Sequence, residues 1–232
     1  RPDMRSDKLR VGYFGADFHS HATMHLMSGL FREHDYDAFE IHIFSYGRHI
    51  SDDWRARLSD TVHQFHDVAA RTDPDVAAYA KAQQLDIAVD LKGFTKEGRS
   101  VLFHHRLAPV QINYLGYPGS LGADCFDYIL ADPTLIPPEA QQHYSERPIY
   151  LPHSYQPNDD HREIAQTQTT RADFGLPEDG VVLCCFNNNY KLEPGCFDIW
   201  MRVLDAVPGS VLWLIKSNAW SEANLRAQAN RR

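Results

Sequence analysis

Five short apolar runs mark the first two thirds of the chain, at 9–14 (LRVGYF), 39–45 (FEIHIFS), 87–91 (IAVDL), 110–115 (VQINYL) and 128–131 (YILA). Runs of this length suit strands rather than helices. Helix-like stretches separate them. Asp73-Pro74 ahead of VAAYAKAQQ predicts an N-cap at Asp73, proline in the first helical turn and good helix formers behind it. Strands alternating with helices predict a parallel sheet with crossover helices, a Rossmann-like α/β domain.

After Leu151 the pattern breaks: PHSYQPNDDHREIAQTQTT is polar and carries no hydrophobic period. Beyond it the alternation restarts, with strands at 181–186 and 210–215 and helices at 194–206 and from 221 onward. This predicts a Rossmann-like domain over 1–155, a linker over 156–178, and the first part of a second Rossmann-like domain over 179–232. A complete domain of that kind needs about 100 to 150 residues, so the chain is expected to stop inside one.

Composition narrows the class only slightly. With 43% hydrophobic and 23% charged residues the chain is an ordinary globular protein. A net charge of −8 excludes a general nucleic-acid binder while leaving room for a local basic pocket for a small phosphate ligand. Cys125, Cys184, Cys185 and Cys196 show no C-x-x-C spacing, and two of them adjoin in an apolar run, which predicts buried reduced thiols and a cytoplasmic location. No apolar stretch approaches the roughly 20 residues that span a bilayer, and RPDMRSDKLR lacks the apolar core of a signal peptide.

Ligands of doubly wound sheets bind beyond the carboxyl ends of the strands, which singles out three loops. Residues 15–23, GADFHSHAT, gather a carboxylate, imidazoles and hydroxyls ahead of a helix: an acid–base site, or helix capping by Ser20 or Thr23 with Asp17 in a turn. Residues 115–122, LGYPGSLG, let backbone approach a ligand, or simply turn; they lack the ordered G-x-G-x-x-G of a dinucleotide fingerprint. Residues 187–194, NNNYKLEP, join a strand to a helix whose N-terminus attracts anions, with Lys191 adding a point charge for a diphosphate; the alternative is a surface lysine beside an asparagine N-cap. His19, His21 and His25 do not define one ligand-bearing face, so no metal site is expected, and Asp35-Tyr36-Asp37 reads as a solvated turn at the wrong edge of the sheet. No G-x-S-x-G elbow supports a hydrolase.

The strings LRVGYFGADFHSHATMHLM, VDLKGFTKEGR, APVQINYLGYPGSLGADCFDYILAD, YSERPIYLPHSYQPND and CFNNNYKLEPGCFDIWMRVLDAVPGSVLWL resemble the catalytic region of the O-linked N-acetylglucosamine transferases, glycosyltransferase family 41, in a bacterial form. The resemblance covers nearly the whole chain. It implies the GT-B arrangement and inverting, metal-independent transfer from UDP-N-acetylglucosamine (UDP-GlcNAc) to Ser or Thr hydroxyls of proteins, with no cofactor. It also implies tetratricopeptide repeats ahead of the catalytic region, further donor contacts past Arg232, and no long insertion between the domains. The family's D-F-x-x-H-x-T falls on Asp17, Phe18, His21 and Thr23, with His21 and Asp17 both candidates for handling the acceptor proton and the donor phosphate a rival base. The sugar-contacting pair falls on Leu115 and Gly116. The lysine beside the diphosphate falls on Lys191, with Tyr190 and Asn188 as further donor contacts; Asn188 replaces the family's glutamine with a side chain one methylene shorter. The loops holding Asp17 and Lys191 are thereby expected to face one cleft. A transferase with another donor, such as GDP-fucose, and a non-catalytic nucleotide-sugar-binding or protein-binding module are the alternatives.

Overall fold

The apolar runs become strands in the computed structural model, which describes residues 7–232. The chain divides into two compact units, Arg1–Glu163 and Ile164–Arg232. In the first, the strands are β1 (Leu9–Gly15), β2 (Phe39–Ser45), β3 (Gln64–Asp67), β4 (Ile87–Asp90), β5 (Val110–Asn113), β6 (Tyr128–Ala131) and β7 (Arg147–Tyr150). Helices α1 (Ala22–Arg32), α2 (Asp53–Thr61) and α3 (Asp73–Ala82) lie between them. The sheet runs β3-β2-β1-β4-β5-β6-β7 with every pairing parallel.

Side chains alternate across each strand, so both faces of the sheet need apolar cover. Val11 and Tyr13 of β1 join Ile41 and Ile43 of β2 in a core with Met24, Met27 and Phe31 of α1 and Leu58 of α2. Phe14 and Phe44 point the other way, to Val76, Ala77 and Ala80 of α3 and to Phe103. The Phe14 and Phe44 rings stack with centroids 4.4 Å apart. Double burial produced the continuous apolar runs. Strands β3 and β7 left no such run because they form the two edges, where Gln64, Asp67, Arg147 and Ile149 are exposed.

Local details differ from the sequence reading in three places. The N-cap of α3 is Thr72, whose Oγ1 accepts from Asp75 N at 3.4 Å; Asp73 moves into the first turn, its carboxylate taken by the Arg99 guanidinium. The polar stretch after Leu151 stays with the first unit up to Glu163. Tyr114 Oη donates to Tyr155 O at 2.8 Å, Asp132 Oδ2 accepts from Tyr155 N at 2.8 Å, and Asp159 accepts from Ser28 Oγ at 2.9 Å and from Arg32 at 3.0 Å. The cysteines are free thiols, but Cys184 and Cys196 are exposed and Cys125 and Cys185 only half-buried. Adjacent residues on a strand face opposite sides, so Cys184 and Cys185 cannot share one core.

The second unit holds β8 (Val182–Cys185), α4 (Pro194–Ala206), β9 (Val211–Leu214) and α5 (Ala219–Ala229), with β8 and β9 parallel. Among the described residues no helix is long and apolar enough to cross a membrane.

A buried polar chain runs through β2 and β3. His42 Nε2 lies 3.0 Å from Glu40 Oε1, His42 Nδ1 lies 3.2 Å from His66 Nε2, and His66 Nδ1 lies 2.9 Å from Tyr79 Oη. Because the Glu40 carboxylate only accepts, His42 donates from Nε2, accepts at Nδ1 from His66, and His66 accepts from the tyrosine. Both imidazoles are neutral in this arrangement. Burial holds His66 down at about 4, and burial likewise lowers His42. The unfolded chain protonates these rings near pH 6.5, so their contribution to stability is complete above that pH and declines as pH falls toward 4. His66 alone then accounts for a loss on the order of 1–3 kcal/mol across that window, the lower end allowing for partial solvent screening. Urea unfolding between pH 7 and 4.5 should show a shallower decline in His66→Phe; an unchanged slope would refute the assignment.

Candidate active site

In a doubly wound sheet a crevice opens where neighbouring strands send their connections in opposite directions. Here that point lies between β1, which leads to β2 on one side, and β4, which leads to β5 on the other. The chain leaving β1 carries Asp17 and His21; the chain leaving β4 carries Asp90 and Lys92.

Asp17 is buried, and its Oδ2 accepts from Lys92 Nζ at 2.5 Å. The same Oδ2 lies 3.5 Å from His21 Nδ1. His21 is the N-cap of α1: Nδ1 accepts from Thr23 N at 3.2 Å, with Thr23 Oγ1 also at 3.2 Å. Capping therefore falls to His21 rather than Ser20 or Thr23, and Asp17 is one half of a buried ion pair rather than a turn residue. Burial lowers the His21 pKa, Asp17 raises it, and Lys92, His19 and His25 lower it further. Beneath Lys92, Asp90 is fully buried and accepts from Ser100 Oγ at 2.6 Å and Lys92 N at 2.9 Å; burial raises its pKa. Phe18 packs in the core against Phe65.

The third wall comes from the end of β5. Gly116 N donates to Tyr114 O at 2.9 Å, closing a tight turn centred on Leu115 at φ 67. That conformation is strained for a residue with a side chain. A Cβ on Gly116 would stand 2.1 Å from Leu91 O, so only glycine fits against the backbone leaving β4. His21, Thr23, Lys92, Leu115, Gly116 and Tyr155 line a cleft of about 390 Å³. Gly116→Ala is expected to cost about 1–3 kcal/mol by forcing these two backbones apart; an unchanged melting temperature would contradict this.

Asp17, His21, Thr23, Leu115 and Gly116 are thus brought together. Lys92 was missed, although a lysine two residues past the carboxyl end of a buried strand was legible in VDLK.

Asn188, Tyr190 and Lys191 lie in the second unit, on the loop after β8. Asn189–Lys191 form a short 3-10 turn tied to α5 by Asn189 Nδ2, which donates to Ser221 Oγ at 2.9 Å. This turn displaces the N-cap of α4 from the asparagines to Glu193, which makes no side-chain cap. The first-turn N–H groups of α4 therefore lack a side-chain acceptor from the cap. Tyr190 is 81% exposed, and Lys191 and Asn188 are also exposed.

His25 turns away from the cleft's chemistry and meets Trp54 edge-on at 4.5 Å. Asp35 Oδ1 accepts from Asp37 N and Ala38 N at 3.0 and 3.2 Å, a local turn. Among the described residues no three His, Cys, Asp or Glu side chains form a group able to hold a metal ion.

The model of glycosyl transferase family 41 matches residues 2–168 and 162–232. A probable UDP-N-acetylglucosamine–peptide N-acetylglucosaminyltransferase of Arabidopsis thaliana, SEC, is 33% identical over 227 residues, covering 96% of this chain and 23% of the relative. The UDP-N-acetylglucosamine–peptide N-acetylglucosaminyltransferase of Caenorhabditis elegans is 23% identical over 331 residues, covering 94% of this chain and 29% of that protein. Among solved structures, a point mutant of the Thermobaculum terrenum O-GlcNAc transferase matches with a TM-score of 0.85 and 26% identity, covering 97% of this chain and 42% of that one. The chain therefore spans about a quarter of the length of these curated relatives. Its fold class is the α/β, GT-B type of that solved transferase.

Proposed function

Because the chain belongs to glycosyl transferase family 41, we propose that it forms part of an inverting glycosyltransferase that moves N-acetylglucosamine from UDP-GlcNAc to Ser or Thr hydroxyls of proteins. The observation that carries this reading is the match along both units to a relative named for that activity. In the transfer, the acceptor oxygen bonds to the anomeric carbon and the carbon–oxygen bond to UDP breaks on the opposite face. Its electron pair leaves on the diphosphate, and the hydroxyl proton passes to a base, for which His21, Asp17 and the donor phosphate are the candidates.

In the cleft of the first unit His21 and Asp17 stand on the acceptor side, and Thr23, Leu115 and Gly116 are donor contacts, the last two against the sugar. The loop after β8 takes the donor: Lys191 and the uncapped first turn of α4 offset the charge growing on the diphosphate, with Asn188 and Tyr190 beside them. No step calls for a metal or a cofactor, and the net charge of −8 favours proteins over nucleic acids as acceptors. A cytoplasmic site of action fits the four free thiols.

Labelled UDP-GlcNAc offered to the full-length protein with Ser- and Thr-containing peptides tests the reading, with labelled GDP-fucose in a parallel arm. Label should reach peptide from UDP-GlcNAc alone. Transfer only from GDP-fucose would replace the donor, and a UDP-induced rise in melting temperature without any transfer would mark a binding module.

A further inference from the structure

A neutral imidazole has one N–H and one lone pair, and which nitrogen holds which decides what the ring can do to a substrate. At His21 the geometry makes the choice. Thr23 N, one of the first-turn donors of α1, points at Nδ1 from 3.2 Å. A backbone N–H can only donate, so Nδ1 supplies the lone pair and the proton sits on Nε2.

The rival arrangement would have Nδ1–H donate to Asp17, freeing the Nε2 lone pair to act as a base, as in a histidine oriented by a carboxylate. Asp17 Oδ2 stands 3.5 Å from Nδ1, beyond hydrogen-bond range, while Lys92 Nζ holds that same oxygen at 2.5 Å. The side chains of Lys92 and Asp17 are only 8% and 9% exposed, so water does not compete for the pair.

We infer that Lys92 is a positioning residue: by occupying Asp17 Oδ2 it leaves His21 Nδ1 to cap α1, and His21 enters the cleft as an Nε2–H donor to a substrate oxygen rather than as a base. The charged and titratable groups around the ring agree. Among the described residues Asp17 is the carboxylate that raises its pKa, against Lys92, His19 and His25; Asp52 holds the neighbouring Ser20 N, and Lys96 and Tyr155 also line the cleft. This inference deepens the proposed transfer and rests on it for the identity of the substrate oxygen; the tautomer itself does not depend on that reading.

Histidine-selective ¹⁵N NMR of the full-length protein reads the tautomer directly, with His21→Gln identifying the signal. Wild type and Asp17→Asn should show Nε2–H, and Lys92→Met should move the proton to Nδ1, toward the released carboxylate. Nδ1–H in the wild type, or Nε2–H persisting in a folded Lys92→Met, overturns the inference. A second readout needs no variant at position 92. An imidazolium still donates, so kcat/KM for peptide should not fall as pH drops through the His21 midpoint measured by NMR; an acid limb at that midpoint restores His21 as the base. If wild type shows Nε2–H yet transfers no sugar, the functional reading fails and the positioning role stands.

Discussion

Replacing Lys191 by alanine in the full-length protein is expected to lower turnover with UDP-GlcNAc by roughly 10²–10³-fold while leaving the unfolding midpoint nearly unchanged. The two halves of this expectation have separate grounds. Lys191 is exposed and forms no ion pair among the described residues, so its removal breaks no packing and shifts stability by about 0.5 kcal/mol or less. Its proposed work is confined to the transition state, where the diphosphate gains charge, and the loss of one preorganised electrostatic partner at such a point commonly costs a few kcal/mol of activation energy. Steady-state kinetics beside a urea curve checks both halves. Turnover within a factor of three of wild type would remove Lys191 from the donor site.

The second large effect concerns stability. Asp17→Ala strands a lysine that is 92% buried by side chain, and breaking such a pair from one side costs about 3–5 kcal/mol. Removing both charges costs less than the sum of the single changes, because the double variant Asp17→Ala, Lys92→Met buries no uncompensated charge. Urea unfolding of the two single variants and the double gives the coupling directly. Strictly additive losses would show that the two side chains do not depend on each other, and with that the positioning of Asp17 by Lys92 would fall.

How much of this was legible in advance depended on whether the physics was local. Central strands announced themselves because burial on both faces leaves each a mainly apolar run, broken only by polar residues such as His42, Asp90 and Gln111 that hydrogen-bond inside; β6 and α4 were placed to the residue. The edge strands β3 and β7 were invisible because an edge needs one apolar face at most, and Pro148 can occupy β7 where an inner strand would lose a hydrogen bond. At the site, Asp17, His21, Leu115 and Gly116 were found as loop residues beyond strand ends, yet their partners were not. Lys92 lies 75 residues from Asp17, and no local pattern states which of several lysines will reach across the sheet. The same holds for the caps: His21 took the role expected of Ser20 or Thr23 because the loop brings its ring, rather than a hydroxyl, to the Thr23 N–H. The stretch expected as a linker over 156–178 begins inside the first unit, because its anchor there, Asp159, holds Ser28 and Arg32 through a carboxylate, which leaves no hydrophobic period.

The strand order also carries a kinetic cost. β1 lies inside the sheet, yet only one of its neighbours, β2, follows closely in sequence; its other neighbour, β4, pairs Val11 with Ile87. During synthesis at about 5–20 residues per second, the second edge of β1 therefore stays open for roughly 4–15 s after the strand emerges. Through that interval Val11, Tyr13 and Phe14 belong to an unfinished sheet whose exposed edge can recruit another nascent chain. The crevice that the topology opens for a ligand is thus also the seam that closes late, once residues 87–90 have been made.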